Sequence, residues 1–99
     1  MTVAAPTKRR RRQAAGGGGA GDDAWRVIVL NDNHNTFEGV AFALATVIPG
    51  VSYERGLRIA DEIHNRGQAI VWSGHRERAE LYWQRLSDLG LTMAPLERS

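Results

Sequence analysis

Asn31 and Asp32 end the apolar run Trp25-Arg26-Val27-Ile28-Val29-Leu30, and His64 closes a helical stretch some thirty residues later, in Ile63-His64-Asn65-Arg66-Gly67. A side-chain amide carbonyl and a carboxylate are acceptors, and a neutral imidazole accepts through one ring nitrogen. Gathered at the rim of an apolar patch, the three suit capture of a small cationic group. Each also has a plainer account. Asn and Asp are ordinary in a strand-to-helix turn, where their side chains bond nearby backbone. A histidine in the last turn of a helix faces the negative end of the helix dipole. From the residues alone, both readings stand.

Other chemistries find less support. His34, His64 and His75 with Asp32 are the only set that resembles zinc ligands, and no two of the histidines have the i, i+4 spacing of a metal-binding helix. No nucleophile motif of a Ser-His-Asp hydrolase is present. The chain has no cysteine, which removes disulfides, thiol catalysis and cysteine-zinc sites. Trp25, Trp72 and Trp83 lie far apart and read as packing residues. We therefore expect no catalytic residue, no metal and no cofactor.

The elements that must position these groups follow from pattern. Val27-Ile28-Val29-Leu30 is short and β-branched, as a buried strand is. Asn31 to His34 is turn chemistry, and Asn35 is placed to cap a helix with Glu38 as its capping-box partner. Phe37, Val40, Ala41, Leu44, Val47 and Ile48 recur at helical spacing until Pro49-Gly50 stops the run. Ser52 caps a second helix with Gly56, Ile59, Ala60 and Ile63 on its inner face, and Gly67 sits where a left-handed C-terminal residue is expected. Gln68 to Ser73 reads as a strand with Gly74 as its turn. A third helix from about Arg76 buries Ala79, Tyr82 or Trp83, Leu86 and Leu89, and Gly90 ends it. Leu91 to Ala94 reads as a last strand, with Pro95 at its end. The order is β-α-α-β-α-β. It predicts an α+β fold with three helices packed on one face of a small three-stranded, mainly antiparallel sheet.

Composition divides the chain in two. Residues 1–23 form a basic, Gly-rich extension with Lys8, Arg9 to Arg12 and four consecutive glycines at 16–19. Such a stretch cannot bury enough surface to offset its ordering entropy and is expected to be disordered. The folded domain spans 24–99. Beyond residue 21 there are eight arginines against eleven acids, so the domain is mildly acidic although the whole chain carries a formal net charge of +2. The basic run at 8–12 has no interleaved aromatics and no basic face beside it, so nucleic-acid binding is not expected. No stretch approaches the ~18 apolar residues of a membrane span, and no apolar core of a signal peptide is present. The expectation is a cytoplasmic, monomeric protein that does not engage membranes.

The same residues carry a resemblance. Val27-Ile28-Val29-Leu30-Asn31-Asp32, Phe37-Glu38-Gly39-Val40, Ile63-His64-Asn65-Arg66-Gly67-Gln68-Ala69 and Pro95-Leu96-Glu97 resemble the ClpS family over residues 25–97, in register. The Asn33-His34-Asn35-Thr36-Phe37 turn and the Met93-Ala94-Pro95-Leu96-Glu97 ending look most like a divergent paralogue from photosynthetic bacteria. The resemblance implies a non-enzymatic adaptor that delivers N-degron substrates to the AAA+ Clp protease. It implies that Asn31, Asp32 and His64 hold the substrate α-ammonium. It further implies a side-chain pocket at Phe37, Val40, Ala60, Ile63 and Leu96, with Asn35 at the rim where the family usually has Thr, and ATPase docking through Glu77.

Several positions depart from the family pattern. Asn33 replaces the second turn Asp, Phe37 and Ala60 replace methionines, and Tyr82 stands where a basic docking partner is usual. The Tyr82 change and the acidic balance point to a ClpC-type rather than a ClpA-type ATPase. Leu and Phe are the expected first residues of a substrate. A competing function is a Clp ATPase regulator that has lost or altered N-degron recognition.

Overall fold

The computed structural model describes residues 24–99. The basic run at 8–12 and the expected disorder of 1–23 lie outside the described residues. The elements are β1 (Trp25–Leu30), α1 (Phe37–Val47), α2 (Tyr53–Arg66), β2 (Gln68–Gly74), α3 (Arg76–Asp88) and β3 (Glu97–Arg98). This is the expected order. The sheet is antiparallel with β1 in the centre, in the order β2-β1-β3.

β1 and β2 pair from Trp25↔Gly74 to Leu30↔Gln68, with a register shift between Val27 and Ile28 that leaves Val71 as the extra residue. A bulge of this kind breaks strict alternation. Val71 is buried and the neighbouring Trp72 half-buried, its ring edge-on to buried Tyr82 of α3 at 5.0 Å. The core is one cluster that takes Val27 and Val29 from β1, Val40, Ala43, Leu44 and Val47 from α1, Ala60 and Ile63 from α2, and Ala79, Tyr82 and Leu86 from α3.

The ends of the helices explain their placement. α2 starts on Ser52, whose hydroxyl accepts from the Arg55 N–H at 3.1 Å, and stops at Gly67 with φ of 88°. Only glycine takes that left-handed conformation without a steric cost. α1 departs from expectation: its cap is Thr36, whose hydroxyl accepts from the Gly39 N–H at 2.9 Å. Asn35 does not cap, because its amide is bonded to Asp32 and to the Gly90 carbonyl instead. The expected capping box with Glu38 therefore does not form.

Two further corrections concern the C-terminal end. Leu89 is exposed, and Leu91, beyond the turn at Gly90, takes the buried place. Residues 91–94 form no strand. Leu30 N–H donates to the Thr92 carbonyl at 2.8 Å, Ala94 N–H donates to the Ile28 carbonyl at 3.1 Å, and Val29 and Met93 form an isolated bridge. Pro95 has no N–H to continue that ladder. The third strand forms past it, where Glu97 pairs with Arg26 and their side chains meet at 2.7 Å.

Candidate functional site

β1 delivers its last residues to the end of α2. The Asn31 N–H donates to the Gly67 carbonyl at 2.9 Å, so the turn after β1 is fastened to the residue that stops α2. His64 lies one turn before that stop, and the bond brings Asn31, Asp32 and His64 to one place although the sequence separates them. All three line a single cavity of about 60 Å³. Asn35, Phe37, Val40, Ala60 and Ile63 line it as well, so the expected pocket positions converge there. Leu96 does not line it; it is half-buried and packs on the core. Val29, Leu30, Leu91 and Thr92 complete the wall. Leu91 and Thr92 are additions to the expected lining, and no local signal marks Thr92, since the partner of its hydroxyl lies sixty residues earlier.

The wall divides by chemistry. Val40, Ala60 and Ile63 give it an apolar floor drawn from α1 and α2, each nearly excluded from water. Phe37 is 39% exposed and sets its ring edge-on to the His64 imidazole, with centroids 5.4 Å apart. Asn31 and His64 are exposed at the mouth.

Asp32 is the most constrained polar group. Its Oδ1 accepts from the backbone N–H groups of His34 at 2.9 Å and Asn35 at 2.8 Å. Its Oδ2 accepts from Asn35 Nδ2 at 2.8 Å and from Thr92 Oγ1 at 2.6 Å. A carboxylate offers about four lone-pair sites, so the protein's own donors fill them. The Thr92 hydroxyl first, then the Asn35 backbone N–H, the Asn35 amide and the His34 N–H, hold its carboxyl well below the usual carboxylate range, against a smaller upward push from burial. Asp32 is thus a fixed negative charge, with Asn31 and His64 as the groups whose acceptors remain available at the mouth. Among the described residues no group of three or more His, Asp or Glu is placed to hold a metal.

The expected docking residue lies elsewhere. Glu77, in the first turn of α3, lines an open groove of about 410 Å³ with Trp25, His75, Arg76 and Arg98. The Arg76 guanidinium sits 5.2 Å from the centre of the Trp25 ring. That groove meets β1 at its first residue, whereas the cavity takes its last two.

A family model described as "ATP-dependent Clp protease adaptor protein ClpS" matches residues 20–96. This chain belongs to the ClpS family. The Clp protease adapter ClpS of Thermosynechococcus vestitus is 51% identical over 73 residues, covering 74% of this chain and 78% of that protein. The ClpS of a Nostoc species is 52% identical over 73 residues, covering 74% and 75%. Among solved structures, Agrobacterium tumefaciens ClpS2 bound to L-phenylalaninamide superimposes with a TM-score of 0.72 at 27% identity, over 79% of this chain and 99% of that one. ClpS-family proteins are adaptors of the Clp protease rather than its catalytic component. No helix among the described residues is long and apolar enough to cross a membrane.

Proposed function

We propose that this ClpS-family adaptor captures the free α-ammonium and the apolar first side chain of N-degron substrates. The observation that carries this is the convergence of Asn31, Asp32 and His64 at the mouth of one apolar-floored cavity. Asn31 and His64 accept directly from the ammonium, Asp32 supplies the compensating charge, and Val40, Ala60 and Ile63 receive the side chain. The ligand of the Agrobacterium relative, L-phenylalaninamide, has this chemistry: a free α-amino group beside an apolar side chain.

Magnitudes explain why both halves are needed. Hydrogen bonds to a charged group contribute about 1.5–3 kcal/mol each, and burial of a Leu or Phe side chain about 1.5–3 kcal/mol. With Asn31, Asp32 and His64 each counted as one charged interaction, and against an association cost of at least ~4 kcal/mol, the sum reaches a micromolar Kd only at its upper limit, and neither half does so alone. Leu and Phe are the first residues expected on this reading, with the half-exposed Phe37 ring at the edge of the cavity.

The partner on this reading is a Clp ATPase of the ClpC type, docked on the groove that contains Glu77. Buried Tyr82 stands in place of the usual base, and its hydroxyl accepts from Arg78 Nη1 at 3.2 Å.

Fluorescence anisotropy with a Leu-initiated peptide is the test. The free-amine form binds, and the N-acetylated form, which has lost its charge and donors, does not. Equal binding of the two forms defeats the reading. One observation favours a second reading, a regulator without degron recognition: every acceptor site of Asp32 is already occupied within the protein. A flat response across all twenty first residues supports that alternative.

A further inference from the structure

Thr92 lies outside every motif that marks this chain, yet its Oγ1 makes the shortest hydrogen bond to the site's carboxylate, 2.6 Å to Asp32 Oδ2. The hydroxyl is not placed by chance. The Thr92 carbonyl accepts from Leu30 N–H, two residues before Asp32, and the Val29↔Met93 bridge and the Ala94 N–H to Ile28 carbonyl bond hold the residues that follow. Trp83 Nε1 of α3 then donates to the Ala94 carbonyl at 2.7 Å and ties the segment down from the other side. A second strut runs alongside, from Asn35 Nδ2 to both Asp32 Oδ2 and the Gly90 carbonyl.

We propose that Thr92 is a positioning residue for substrate capture: its hydroxyl fixes the Asp32 carboxylate in place and in orientation, so that the negative charge faces the ammonium held by Asn31 and His64. The inference rests on the N-degron reading above. Three of the four donors to Asp32 come from its own turn. Thr92 is the donor that reaches the carboxylate from the segment across the sheet, and it references the charge to β1 and α3. Its side chain is exposed, so exchanging the hydroxyl for a methyl leaves the core untouched.

The test compares wild type, T92V and T92S for binding of a Leu-initiated peptide with a free or acetylated amine. Alongside it, the Asp32 side-chain carbonyl is titrated by carbon-13 NMR. T92V binds the free-amine peptide roughly tenfold more weakly, the fold-change that corresponds to losing one hydrogen bond to a charged group. T92S, which keeps the hydroxyl, stays within about twofold. The Asp32 midpoint rises toward the ordinary carboxylate value in T92V and stays low in T92S, which reports that the hydroxyl bonds the carboxylate. A reduced preference for the free over the acetylated amine in T92V is the change that a purely structural role would not produce. Wild-type affinity in folded T92V, or an equal loss in T92S, overturns the proposal. If T92V does not fold by circular dichroism, T92A against T92S carries the same comparison. A wild-type protein that fails to separate free from acetylated amines defeats the N-degron reading itself, and this inference with it. Discrimination that persists unchanged in T92V defeats this inference alone.

Discussion

Asp32 ties the chemistry of the site to its stability. Its donors depress the carboxyl in the folded protein relative to the ordinary value of 3.8. A group depressed in this way contributes stability that is present above its unfolded pKa and lost as the pH falls through the folded one. Unfolding free energy should therefore begin to fall below about pH 4. In D32N that acid limb is shallower, because the amide does not titrate, and denaturant melts between pH 2 and 6 show it. An unchanged limb would mean that Asp32 is not the depressed group. On the proposed function, the same substitution removes the charge opposite the ammonium. D32N should therefore weaken free-amine peptide binding by about ten- to a hundredfold, the equivalent of one charged interaction.

At the scale of elements, α1 and α2 approach closely at Gly56. A Cβ added to Gly56 would lie 2.8 Å from the Ala41 Cα and carbonyl oxygen, atoms of a helix backbone that cannot swing aside. Alanine in place of glycine inside a helix ordinarily stabilises by about 1 kcal/mol. G56A should do the reverse, lowering stability by about 1–2 kcal/mol as the helices separate. Chemical denaturation reads the sign directly. Both helices furnish the cavity floor, so peptide affinity should fall with it.

The elements also show what sequence could and could not disclose. Helix periodicity, Ser52, Gly67 and the β-branched run of β1 are local signals, and each lies where it was read. The cap of α1 falls one residue later than expected because Asn35 and Thr36 are both competent caps. The choice fell to Thr36 when Asp32 and Gly90 claimed the Asn35 amide from outside the helix. Leu91 to Ala94 reads as a strand by composition, but Pro95 prevents the ladder from extending. The turn and α2 residues that converge on one cavity belong to motifs that keep their spacing in the sequence. Thr92 was not, since its role exists only through a partner brought close by the whole sheet.

Across the whole molecule, two features occupy the two ends of one strand. The groove containing Glu77 abuts Trp25, and the cavity is bordered by Val29 and Leu30. A charge reversal at the first should leave the second alone. E77R should abolish or strongly weaken binding to the Clp ATPase in a pull-down while peptide affinity stays within about twofold, as expected for distant, independent sites. A matching loss of peptide affinity would place Glu77 in the ligand site or in the fold, not in docking.

Strand β1 then has a meaning beyond holding the sheet together. Its six residues at about 3.3 Å each make a stiff spacer with its ends roughly 17 Å apart. On the proposed function, a substrate terminus held at one end, with the ATPase on the other, is no longer a free solute. The ATPase meets it as a tethered neighbour, at an effective concentration on the order of millimolar. Weak, quickly reversible capture is then an advantage, because the adaptor can release what it has brought.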